Sequence, residues 1–130
     1  MGEVVEICQQ RFFTREEARA LLPTIQKILE KHERVITKLL SNQRYFISTH
    51  APQERITECD DKISEQMARC GAKIHKLGVK VFGDGWFGFC TGGMYWSYHW
   101  PEDKDINYYH GLLEDPRRTR YLYHIVKATP

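Results

Sequence analysis

The sequence predicts an α+β fold: a long antiparallel helical hairpin packed on a small antiparallel, aromatic-rich β-sheet. Three observations predict it. Apolar residues recur at helical spacing across residues 23–47 and again across 56–77, the later part alternates around a Gly92-Gly93 turn, and the two patterns meet at Gly78. A chain of 130 residues with a net charge of +2 is sized for one core. Residues 1–130 are therefore read as a single domain, with the helical hairpin over 14–78. The sheet then covers 79–126, with an acidic loop and an arginine-rich C-terminal segment.

Thr14-Arg15-Glu16-Glu17 is a capping box, so a helix starts at about Arg15. Pro23 lacks a backbone N–H and disfavours helical geometry at Leu22, which predicts a kink or break with Pro23 opening the next helix. From there Ile25, Ile28, Leu29, His32, Val35, Ile36, Leu39, Leu40 and Phe46 form one stripe. Ser48 to Pro52 is a turn. A second stripe follows through Ile56, Ile63, Met67, Cys70, Ile74 and Leu77, and Gly78 supplies the stop. His32 and His75 are surface or seam residues on this reading, and His50 and His124 carry no role.

In the sheet, Val79 to Phe82 alternates like a strand, and Gly83-Asp84-Gly85 is a turn. Trp86 to Cys90 and Met94 to Trp100 flank the two-glycine loop, which pairs Thr91 with Met94. Phe89 then opposes Trp96 and Phe87 opposes Tyr98, with Trp100 continuing this aromatic face toward the helices. The other face holds Trp86, His99, Ser97, Tyr95 and Cys90. Gly88 leaves room there, which predicts either a shallow binding surface or an interface. Cys90 and His99 stand about 13 Å apart at strand rise, too far for a nucleophilic dyad. Tyr121 to Val126 is a last strand or an extended tail pairing with a sheet edge.

Charge and composition exclude several classes. Acids and bases are interspersed, and the basic excess falls in residues 1–79 rather than in the aromatic stretch, which argues against nucleic acid. No segment approaches the roughly eighteen apolar residues of a membrane span, and no signal-peptide run opens the chain. Cys8, Cys59, Cys70 and Cys90 form no C-x-x-C pair. Reduced thiols and a cytoplasmic location are expected, with Cys59 and Cys70 acting as small hydrophobes in the helical seam.

Trp86 to His110 holds nine aromatic residues and two histidines, so the functional candidates are drawn from it and from the arginines that follow. His99, Glu102, Asp103, Asp105 and His110 are chemically adequate ligands for a divalent Zn, Mn or Fe ion, with His99, Glu102, Asp105 and His110 the preferred set, although their spacing matches no compact metal motif. Arg117, Arg118 and Arg120 follow Pro116 and carry forked donors suited to phosphate or carboxylate. Glu114 and Asp115 offer them local salt bridges instead. Trp86, His99, Trp100, His110, Arg117 and Arg118 form the expected ligand-binding set. His110 with Glu102 or Asp105 is the only acid–base candidate, set against a histidine simply packed among aromatic rings. Gly83-Asp84-Gly85 opens no helix, which excludes a phosphate loop.

Phe13-Thr-Arg-Glu-Glu-Ala-Arg-Ala-Leu-Leu-Pro23, Leu77-Gly-Val79, Gly85-Trp-Phe-Gly-Phe89 and the Trp100 to His110 spacing together resemble a family of prokaryotic proteins, domain of unknown function 2203. The resemblance runs from about Phe13 to Arg118. It implies a helix pair followed by a sheet ending in Cys-Trp, Gly-Glu and Trp-His motifs, and no reaction. Here His99 stands in place of the cysteine, Pro101 to Ile106 replaces the Gly-Glu loop, and Tyr109-His110 replaces Trp-His. Trp100 and His110 are the positions carried over.

Three function classes follow. The first is a small cytoplasmic protein binding an anionic ligand or a divalent metal near His99 and His110. The second is a non-catalytic homodimeric scaffold or accessory subunit, expected because long helices and a mixed aromatic face leave much apolar surface. The third is an enzyme using His110 with Glu102 or Asp105.

Overall fold

The computed structural model describes residues 11–123, so Cys8, His124 and the end of the Tyr121–Val126 segment lie outside the described residues. The capping box forms. Glu17 N–H donates to Thr14 Oγ1 (3.1 Å) and Thr14 N–H donates to Glu17 Oε1 (3.0 Å). Helix α1 then runs Arg15–Ser48 with Pro23 inside it, so of the kink or break expected at Pro23 the break, with a new helix opening there, is corrected. Proline's φ is already helical and it deletes a single N–H, a loss of about 3 kcal/mol that a long helix with a buried face absorbs. Helix α2 spans Gln53–Lys76. It ends where Gly78, at φ 88°, donates to His75 O at 2.9 Å.

Two compact units result. One is Pro23–Ile74, and the other contains the described residues 11–22 and 75–123. Within the first, α1 and α2 run antiparallel, as polar contacts across the seam establish. His32 bonds Gln66 through Nδ1 (2.9 Å) and Lys73 through Nε2 (3.2 Å), and Gln43 reaches Ile56 O and Asp60 (3.1 and 2.6 Å). Ile25, Leu29, Cys59, Cys70 and Ile74 are buried, so both helix cysteines pack as small hydrophobes. Val35, Leu40 and Met67 of the expected stripes are instead exposed.

The second unit is a five-stranded antiparallel sheet in sequential order, β1 Lys80–Gly83, β2 Trp86–Cys90, β3 Met94–His99, β4 Tyr108–Gly111 and β5 Tyr121–Leu122. The hairpin register is the one its loop dictates: Trp86 pairs with His99, Phe87 with Tyr98, Gly88 with Ser97, Phe89 with Trp96 and Cys90 with Tyr95. Strand β4 was not legible, because Tyr-Tyr-His-Gly shows no apolar alternation. It pairs His110 with Tyr95 and Tyr108 with Ser97.

On the first sheet face, Phe13 meets Phe89 edge-on at 5.3 Å, and its N–H donates to Cys90 O at 2.7 Å. The first turns of α1 are tied to the same unit. Arg15 donates to Ile106 O (2.8 Å) and Arg19 pairs with Asp105 (2.9 Å).

Candidate functional site

The second sheet face carries Trp86, Gly88, Cys90, Tyr95, Ser97, His99, Tyr108 and His110 in adjacent register positions. Much of it is enclosed, which corrects the expected shallow surface. Gly88 leaves no gap: a Cβ there would lie 2.7 Å from Phe82 Cε2 and 2.9 Å from Tyr95 Cδ1. The Phe82 ring stands edge-on to Tyr95 at 5.4 Å and to His110 at 5.2 Å, while Tyr95 and His110 stack at 5.3 Å. Alternation alone did not reveal this position, because the pairing of β1 with β2 slips between Val81 and Gly83 and leaves Phe82 at the irregularity.

At the other end of this face, four side chains form a layered stack. His99 lies on Trp86 at 3.8 Å and 10° between planes, the Arg120 guanidinium sits 4.9 Å from the Trp86 ring, and it lies 3.8 Å from the Tyr108 ring. Quadrupole attraction and two flat surfaces therefore hold Arg120 in one orientation. Asp103 completes the clamp. Its carboxylate accepts from both terminal nitrogens of Arg120 (2.5 and 3.2 Å) and from the His99 N–H (2.8 Å). Glu102 pairs with His99 Nδ1 at 2.8 Å.

In and beside the first of these groups are polar atoms without partners among the described residues. Ser97 and His110 are both 0% exposed, and among the described residues Ser97 Oγ and both ring nitrogens of His110 meet no hydrogen-bonding group. Ser97 opposes Gly88 on one side and Tyr108 on the other, one step along β3 from the Tyr95–His110 pair, so the two orphans are diagonal neighbours. Burial lowers the His110 pKa, with Arg120 adding to the fall and Glu114 and Asp115 opposing it. The imidazole is thus neutral and offers one donor and one acceptor.

The structure brings together Trp86, His99 and Glu102 from the expected sets, with His110 on the same face. The others lie elsewhere. Asp105 is engaged by Arg19 and the Ile106 N–H; partial burial pushes its carboxyl up, and these donors outweigh it and hold the pKa below the ordinary value. Trp100 donates its N–H to Gly85 O at 2.8 Å. Arg117 donates to Phe82 O (2.5 Å) and pairs with Asp84 and Asp115, while Arg118 is exposed. Among the described residues no group of three or more His, Cys, Asp or Glu could hold a metal ion, so the His99, Glu102, Asp105 and His110 set is not assembled. What the structure adds is the partnership of Arg120, one of the C-terminal arginines, with Asp103, one of the loop acids. Their sequence signal was slight: an arginine beside two better-placed arginines, and one acid of three in a loop.

Two long helices and a five-stranded antiparallel sheet make this an α+β protein. The chain belongs to the family described as Uncharacterized conserved protein (DUF2203), whose model matches residues 11–120, as the resemblance implied. No curated protein and no solved structure matches it. No helix among the described residues is long and apolar enough to cross a membrane.

Proposed function

We propose that the protein binds a small anionic ligand on the second sheet face, with Arg120 supplying charge and Ser97 and His110 supplying neutral hydrogen bonds. The carrying observation is the pair of fully enclosed polar side chains without partners beside a guanidinium fixed in orientation. Each unmade bond of such a group costs about 1–3 kcal/mol, which a ligand oxygen would offset. Arg120 is already ordered by Trp86, Tyr108 and Asp103, so binding costs little further side-chain entropy. An anion is preferred to a divalent metal because three ligating side chains do not converge among the described residues. Binding is preferred to acid–base chemistry because Glu102 and Asp105 are occupied by His99 and Arg19. Unpaired Cys59, Cys70 and Cys90 support a cytoplasmic setting.

Titration of the full chain with acetate and with inorganic phosphate, followed by tryptophan fluorescence and amide NMR shifts, tests this reading. Saturable shifts at Ser97 and His110, weakened at least tenfold by Arg120→Gln, are expected. No saturation with either anion, or the same affinity in Arg120→Gln, overturns it.

A self-associating scaffold is the second reading, favoured by the exposed apolar residues of the hairpin, Met67 among them. Its partner would be a second copy. The first half of α2 carries Glu54, Glu58, Asp60 and Asp61 against Arg55 and Lys62, and the second carries Arg69, Lys73 and Lys76 against Glu65, so two α2 helices laid antiparallel set a net acidic half against a net basic one. Sedimentation equilibrium should then report a dimer that Met67→Glu dissociates; a monomer at every concentration refutes it.

A further inference from the structure

Phe82 is the side chain that closes the second face, and its surroundings suit a ring that does more than a phenyl can. It stands over the Gly88 backbone with Tyr95 and His110 as walls, and it is itself only partly buried, so the slot it fills opens toward solvent. Its hydrocarbon ring satisfies neither His110 nor Ser97, both fully enclosed and unpartnered in the same neighbourhood. Its attachment also permits departure. Phe82 lies on the short edge strand β1, at the position where register with β2 is lost, so rotating it outward breaks no regular ladder pair. Gly83 and Gly85, both at positive φ, follow it in the turn, while Arg117 holds its carbonyl.

We infer that this slot receives the ring of an aromatic carboxylate and that Phe82 is its intramolecular stand-in. The inference rests on the anion-binding reading above and names the ligand class. The ligand ring takes the place of Phe82 against Tyr95 and His110. The carboxylate accepts from the Ser97 hydroxyl and the His110 N–H, with Arg120 providing the charge nearby. Glycine at 88 is required because any side chain there would fill the slot.

The test compares benzoate, which has ring and carboxylate, with acetate, which has the carboxylate alone, on the full chain by calorimetry and NMR. Benzoate is expected to bind at least tenfold tighter than acetate, with nuclear Overhauser contacts from its ring to Tyr95 and His110. Phe82→Ala should tighten benzoate at least fivefold and tighten acetate by a smaller factor, because uncovering the polar groups helps both probes and vacating the ring slot helps only benzoate. If Phe82→Ala does not fold, Phe82→Leu and the contacts in the unaltered protein decide. Equal, Arg120-dependent binding of both probes overturns the ring slot and leaves the anion reading standing. Binding of neither overturns the ring slot, and a failure of inorganic phosphate to saturate as well overturns the anion reading too.

Discussion

The guanidinium of Arg120 lies 3.8 Å from the centre of the Tyr108 ring while its two terminal nitrogens grip the Asp103 carboxylate. The pair joins the loop after β3 to the segment that leads into β5. Its side chains are only 20% and 8% exposed, so removing one partner strands a poorly hydrated charge. Asp103→Ala should cost about 2 kcal/mol and Arg120→Lys about 1 kcal/mol, since lysine loses the fork and the stacking. Urea unfolding of Asp103→Ala, Arg120→Ala and the double Asp103→Ala/Arg120→Ala variant, with Arg120→Lys alongside, measures this, with a coupling of about 1 kcal/mol expected. Additive losses would show that the two act independently.

Gly88→Ala should destabilise by about 1–3 kcal/mol through overpacking, because its new methyl group meets Phe82 and Tyr95 at 2.7 and 2.9 Å. Phe82→Ala in the same chain should recover part of that loss, with Tyr95 accounting for the rest. A Gly88→Ala protein as stable as the original would mean that the slot is looser than the contacts imply.

His110 has its pKa lowered by burial, so the unfolded chain takes up a proton before the folded one. Below the ordinary value of about 6.5 the unfolded state binds more protons, and stability falls as the pH drops from there toward the folded pKa. Above that window the residue contributes no pH dependence. Unfolding midpoints between pH 7.5 and 5 should decline in the unaltered protein and decline less in His110→Phe. An identical slope in both would assign the effect to other groups.

Thr14→Ala should cost about 1 kcal/mol by removing the cap of α1. The Thr14 N–H, and then its hydroxyl partnership, hold Glu17 below the ordinary carboxyl pKa of 4.5. This contribution is present above that pH and lost as the pH falls through the lower folded value, so the acid limb of the stability profile should flatten only in part in Thr14→Ala, which loses the hydroxyl and keeps the N–H. Gly78→Ala should cost about 1–2 kcal/mol, since φ 88° opposes a side chain and the added Cβ would sit 2.6 Å from Arg11 Cβ. Thermal unfolding by circular dichroism reads both.

Much of the candidate site was visible as residues and little of it as partnerships. Trp86, His99 and Glu102 could be named because a two-residue loop fixes every later pair in its hairpin, and Glu102 lies three residues beyond His99. Phe82 could not be placed, since one irregular step in β1 decides what its ring covers. The openness expected around Gly88 was wrong for the same reason. At Pro23 a local preference lost to the continuity of the helix around it.

By itself the sequence determined the cap at Thr14, the stop at Gly78 and the pairing of Trp86 with His99, because each depends on residues a few positions apart or on the arithmetic of a tight turn. Only the tertiary structure decided that Arg120 rather than Arg117 or Arg118 joins the stack, that Phe82 shuts the second face and that His110 and Ser97 are enclosed without partners. Those outcomes depend on β1 and β4 lying on either side of the central hairpin. That juxtaposition brings together groups far apart in the chain, and no local pattern encodes it.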